Sequence, residues 1–172
     1  AGVWRLMRLL DTNQFPVTFF VTGLALDLNP ELAEYIKASH HDIAGHGWRW
    51  IDYSDLYPKE EKAHIIQCKD TLEKLTQKPV TGWYSGRKSL QTATLLREIG
   101  GFLYYSDVYN DDIPYSIDDA LYIPYTLECH DFRYTTLPGF ICASDFSRYL
   151  KDCFDYLYQE QRFCLMTLGI HP

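Results

Sequence analysis

Basic side chains are in the minority in this 172-residue chain, 16 Lys and Arg against 23 Asp and Glu, for a formal net charge of −7. A surface of that sign repels phosphate backbones and anionic lipid, which argues against nucleic acid and membrane surfaces as partners. Long apolar runs are also missing, and none approaches the ~18–20 residues that a spanning helix needs. The opening Trp4-Arg5-Leu6-Met7-Arg8-Leu9-Leu10 sets charges inside its apolar stretch, unlike a secretory signal. Cysteines number five, at 68, 129, 142, 153 and 164, and no pair has the close spacing of a cysteine zinc site. An odd, scattered set fits reduced, mostly buried thiols and a cytoplasmic setting better than a disulfide framework. Gly-rich phosphate loops of either nucleotide type are absent, as is a Gly-x-Ser-x-Gly nucleophile turn.

Core-forming residues are plentiful: 47% of the chain is hydrophobic and 16% aromatic, so it can fold around a substantial core. Val17–Thr22 is almost continuously apolar and β-branched or aromatic, the pattern of a strand buried on both faces. His41–Ala44, Val80–Trp83, Phe102–Ser106, Tyr122-Ile123 and Phe163–Leu168 read as further strands. Helices are predicted over residues 1–12, from Asn29-Pro30-Glu31 to about Ser39, over Pro58–Thr76, from Ser89 to Ile99 ahead of Gly100-Gly101, and from a Ser144 cap over Asp145–Gln159. Strand and helix alternate about five times, which predicts an α/β architecture with a parallel sheet. Periodicity leaves an open sheet and a barrel equally allowed. In either, ligands sit beyond the carboxyl ends of the strands, where 45–55, 84–88, 107–119 and 169–172 would gather.

Those segments hold the residues with chemistry. His46 lies between two glycines at a strand end, where backbone must approach something closely, and Trp48 and Trp50 follow it. Trp83, Tyr84 and Arg87 follow another strand; an arginine there either clamps a planar polar group or makes a structural ion pair. Asp107, Asp111 and Asp112 put three carboxylates in six positions, either a solvated loop or a group that orients a histidine. They do not match the calcium-loop pattern. His171 stands just past the last apolar segment, a suitable place for a general acid. His40 and His41 read as exposed turn residues, and His64 and His130 as structural or exposed. A second metal histidine four residues after His46 is lacking, because that position is Trp50.

Taken together, Pro16–Gly23, His41–Trp50, Gly82–Arg87, Tyr105–Asp107, Asp111–Tyr115 and Leu168–Pro172 resemble the polysaccharide deacetylase (NodB-homology) family, above all its metal-independent, allantoinase-like branch. The resemblance implies a distorted (β/α) barrel, incomplete here: residues 1–172 would be one catalytic domain, a fragment lacking the first strand and a C-terminal extension. It places His46 where the family has its first metal histidine, Trp50 where the second would stand, His171 as the acid, and Asp107 as the carboxylate steadying the catalytic histidine. An Asp-Asp motif holding the family's base would lie upstream of Ala1. Indole offers a metal no lone pair, so the departures at Trp50 favour the branch without a metal.

The expected activity is hydrolysis of a carbon–nitrogen amide bond, opening a cyclic ureide such as allantoin without a cofactor. An upstream carboxylate or His46 would activate water, and His171 would protonate the departing nitrogen. The oxyanion would meet backbone N–H groups near Tyr84–Gly86 or the Arg87 side chain. Trp48, Trp50, Trp83, Tyr84, Arg87, Asp111 and Asp112 are the expected substrate contacts. One alternative is a zinc-dependent N-deacetylase of N-acetylated sugars or peptidoglycan, with His46 and a borrowed ligand such as His41 on the metal. The other is an inactive family member that binds ureides or glycans. The branch also implies a homo-oligomer.

Overall fold

Parallel pairing of short, apolar strands organises the larger part of the molecule. The computed structural model describes residues 2–172, and they divide into two compact units. The larger comprises Phe15–Asp107 with Ser116–Tyr122. The smaller comprises the N-terminal segment through Gln14, Val108–Tyr115 and Ile123–Pro172. The helix α1 (Gly2–Thr12) belongs to the smaller unit and buries Met7.

In the larger unit, β1 (Thr18–Val21) pairs in parallel with β2 (Asp42–Gly45). Between them run α2 (Gly23–Asp27) and α3 (Pro30–Ala38), with Asn29 before Pro30 as the sequence predicts. The five-residue α2 has no sequence period long enough to announce it. Next comes α4 (Pro58–Thr76), at the predicted bounds, opened by a reciprocal cap between Tyr57 and Glu60 and closed by Gln77 in a left-handed turn. It packs against α2, α3 and α5 (Thr92–Ile99) and over β2. The strands β3 (Gly82–Trp83) and β4 (Tyr104–Tyr105) extend the parallel set. Then β5 (Tyr115–Ile117) turns through Asp118, at φ +53°, into β6 (Ala120–Tyr122), which pairs in parallel with β4. The sheet order is β1-β2-β3-β4-β6-β5 and the sheet is open.

Its core is Leu26, Ile36, Ile43, Ile65, Leu72, Val80, Trp83, Leu95 and Leu96, all nearly or fully buried. Gly45 is needed for space: a Cβ there would lie 2.5 Å from the Trp83 ring packed across it. Helix α5 starts later than predicted because Ser89 and Thr92 both donate their hydroxyls to Glu61, a buried carboxylate on α4. Those bonds hold the 89–91 turn outside the helix.

The smaller unit has little regular sheet. Here α6 (Ala143–Gln159) starts from Cys142 rather than Ser144. Its Phe146 and Tyr149 stack with Phe140, and Arg133 lies over the rings of Phe140 and Tyr149. No residue of α6 is fully buried, and Phe154 is exposed. The predicted strand over Phe163–Leu168 does not form. Thr126 and Thr167 instead exchange backbone N–H for side-chain hydroxyl contacts at 2.6 and 3.0 Å, which replaces ladder bonds. One isolated parallel bridge, His130 with Gly169, is what remains of that pairing.

Candidate functional site

Register decides which residues meet at the carboxyl ends of the strands. Gly45 pairs with Trp83 and Trp83 with Tyr105, so the next residues along, His46, Tyr84 and Ser106, emerge side by side. The His46 Nδ1 lies 2.6 Å from the Tyr84 carbonyl oxygen, and the two rings stack nearly parallel with centroids 5.5 Å apart. A carbonyl only accepts, so the neutral ring carries its proton on Nδ1 and its lone pair on Nε2. Gly47 follows at φ +82°, with the Tyr53 ring where a Cβ would go, and this turns the chain away directly after His46.

Asp107 organises the neighbouring loop. It is 6% exposed, and its carboxylate accepts from Ser85 N (2.7 Å), Ser85 Oγ (2.9 Å) and Gly86 N (2.7 Å). The Lys88 ammonium donates to the Asp107 backbone carbonyl. Tyr84 N donates to Gly45 O at 3.0 Å. The backbone amides expected to serve an oxyanion are therefore all engaged within the fold. Arg87, two residues beyond Ser85, is exposed, and its guanidinium lies 4.1 Å over the ring of Trp50, which is 54% exposed. Tyr53 N donates to Arg87 O at 3.0 Å, tying the two loops together.

Several of the expected contact residues have structural partners in this geometry, and Trp83 is withdrawn by its burial. Trp83 is core, 1% exposed, with Phe102 edge-on to its ring, because an inward-pointing residue of a buried strand faces the helices. Trp48 packs over Gly23 and joins the core margin. Asp111 caps its own turn by accepting from Asp112 N and Ile113 N. Asp112 accepts two hydrogen bonds from Arg162, at 3.0 and 2.8 Å, which hold its carboxyl below the usual carboxylate range. His41, expected in an exposed turn, is buried edge-on to Phe19.

The smaller unit holds the second cluster, around His171. Its carboxylate partner is Asp131, not Asp107: His171 Nδ1 stands 2.8 Å from Asp131 Oδ1, and His171 N donates to Asp131 Oδ2 at 2.7 Å. Both carboxylate oxygens thus grip one residue, through its ring Nδ1 and its backbone N–H. Reciprocal backbone bonds between Gly169 and the 129–131 segment bring the two stretches together. His130 packs edge-on against His171, with centroids 4.8 Å apart, and its own Nδ1 accepts from Phe132 N. His130 and Asp131 escape the sequence reading because they lie in an irregular stretch with no periodicity. Their one signal is two adjacent polar residues between apolar positions.

At His46 the residues present do not make up a metal ligand set. Among the described residues, His46 belongs to no group of three His, Cys, Asp or Glu ligand atoms. Trp50 supplies an N–H where a donor pair would be required. His130, Asp131 and His171 bring three ligand-type atoms within 4.8 Å of one another, a set that could hold a metal ion.

The comparisons agree with this geometry. Residues 1–100 match the sequence profile described as polysaccharide deacetylase. A Schizosaccharomyces pombe relative whose name assigns it to the polysaccharide deacetylases is 32% identical over 99% of this chain and 61% of its own length. The crystal structure of Puue allantoinase superposes with a TM-score of 0.95 at 38% identity, covering 99% of this chain and 59% of that one. A probable polysaccharide deacetylase from Pseudomonas aeruginosa PAO1 gives a TM-score of 0.95 at 41% identity, over 99% and 60%. The chain thus spans about three-fifths of the length of these relatives. Motifs, open parallel sheet and relatives lead to one assignment: the chain belongs to the polysaccharide deacetylase family.

Proposed function

We propose that this chain carries the hydrolytic machinery for a carbon–nitrogen amide bond, and that its substrate is a cyclic ureide opened as by an allantoinase. The observation that carries the reading is the His171–Asp131 pair, an imidazole whose Nδ1 and backbone are both held by one carboxylate. An imidazolium fixed in that way presents its Nε2 proton outward, and the carboxylate stabilises the charged form. His46, on the larger unit, is the other histidine of the proposal, its Nδ1 fixed on the Tyr84 carbonyl.

Water oxygen then adds to the acyl carbon, and the carbonyl π pair moves onto oxygen. The C–N bond breaks with its pair on nitrogen, which takes the His171 proton, and the acyl carbon leaves as a carboxylate. Trp50 and Tyr84 are the aromatic contacts retained for a flat ring; Trp83 is not among them. The cofactor-free, small-molecule, homo-oligomeric and cytoplasmic setting belongs to the same proposal. It is supported by the 38% identity to an allantoinase over almost the whole chain.

A second reading has its own support. A peptidoglycan deacetylase of Helicobacter pylori is 24% identical over 100% of this chain and 71% of its length, which favours an N-acetylated glycan as the alternative substrate. Turnover separates the two: ring opening of allantoin with no release of acetate from an N-acetylglucosamine oligomer is the expected result. Acetate release with allantoin untouched would replace the ureide by the glycan.

A further inference from the structure

Amide hydrolysis needs positive charge or hydrogen-bond donors where the carbonyl oxygen becomes negative, and such donors are worth about 10²–10³-fold in rate each. Neither supplier that the fold would normally offer is present at the His46 loops. A metal is not accommodated there, since the described residues provide no ligand group around His46. The neighbouring backbone is not available either: Tyr84 N donates to Gly45 O, and Ser85 N and Gly86 N both donate to the buried carboxylate of Asp107.

The cation that these loops place over an aromatic ring is Arg87, three residues beyond the Tyr84 carbonyl that fixes His46: its guanidinium carbon lies 4.1 Å over the ring of Trp50, four residues beyond His46 itself. The Tyr53 N to Arg87 O bond pins the backbone beneath it. Among the described residues the guanidinium has no hydrogen-bond acceptor in the chain. The Asp52 carboxylate, which feels its charge, is turned to Ser54 N and Oγ instead. A guanidinium over an indole face is held by cation–π attraction while its N–H groups remain hydrogen-bond donors.

We infer that Arg87, held over Trp50, is the donor that binds the oxyanion formed at the substrate's acyl carbon and then the carboxylate that this carbon becomes. The position that would hold a metal histidine in the family pattern would here hold the platform for an organic cation. The inference rests on the proposed amide hydrolysis and names the group that takes over the role of a Lewis acid. It also implies that short carboxylates compete with the substrate for Arg87.

The test uses Arg87→Gln, Arg87→Lys and Trp50→Ala in the full chain, with thermal melts to confirm folding. Arg87→Gln should lower kcat about 10²–10³-fold with KM changed far less, because the contact matures in the transition state. Arg87→Lys should recover only part of the loss, added guanidinium salt should raise the rate of Arg87→Gln, and Trp50→Ala should fall between parent and Arg87→Gln. Calorimetric titration with acetate gives a readout independent of turnover: the parent should bind it and Arg87→Gln should not. Equal kcat in parent and Arg87→Gln, or equal acetate binding, overturns the inference. If the parent hydrolyses neither amide, the hydrolase reading falls, and the acetate titration still decides whether Arg87 is a carboxylate receptor.

Discussion

Trp83 and Trp50 show how two indoles on neighbouring loops acquire opposite duties. Trp83 points inward from a two-residue strand, over Gly45 and against Phe102, and is 1% exposed. Removing so large a buried ring leaves a cavity, so Trp83→Ala should cost roughly 3–5 kcal/mol, read as a lower urea midpoint. Trp83→Phe should leave KM unchanged; a raised KM with unaltered stability would return Trp83 to the substrate contacts. The sequence makes the two indistinguishable, because both follow glycine-containing strand ends and neither position has a periodic partner. His46 and His171, by contrast, are legible as special from their placement alone. What the sequence hides is their partners. Asp107 draws attention by sitting in an acidic run, yet its carboxylate clamps Ser85 and Gly86, while Asp131, alone in an irregular stretch, holds His171.

At the scale of elements, buried strands and capped helices are legible because hydrophobic period and cap chemistry are local properties. Thus α4 runs over Pro58–Thr76 as predicted, and β1 and β2 lie within a residue or two of expectation. Phe163–Leu168 fails because an apolar run states only that a segment can pair, and here hydroxyls from Thr126 and Thr167 take the ladder's place. Its position is set instead by Leu165 N on Asp112 O and by the Arg162 fork on the Asp112 carboxylate. That fork makes a pH prediction. The arginine lowers the folded-state pKa of Asp112 below its unfolded value, so its stabilisation is present above the usual carboxylate range. It is lost as pH falls through the lowered folded value. Asp112→Asn should therefore lower the urea midpoint at pH 7, and the gap from the parent should close as pH falls below the lowered folded value and narrow in high salt. A gap that stays constant down to acid pH would assign the effect to packing.

For the molecule as a whole, the open parallel sheet and the relatives place the chain in its family, and the two histidine clusters are where the proposed chemistry is tested. His46 belongs to the larger unit and His171 to the smaller, and each is tested by its own variant. The His171–Asp131 pair is the centre of the account, and kcat of Asp131→Asn beside Asp107→Asn, per folded molecule on the hydrolysed amide, probes it most directly. The account predicts a fall of about 10²–10⁴-fold for Asp131→Asn with little change in KM, and a loss for Asp107→Asn that follows its stability. Full activity in Asp131→Asn would contradict it.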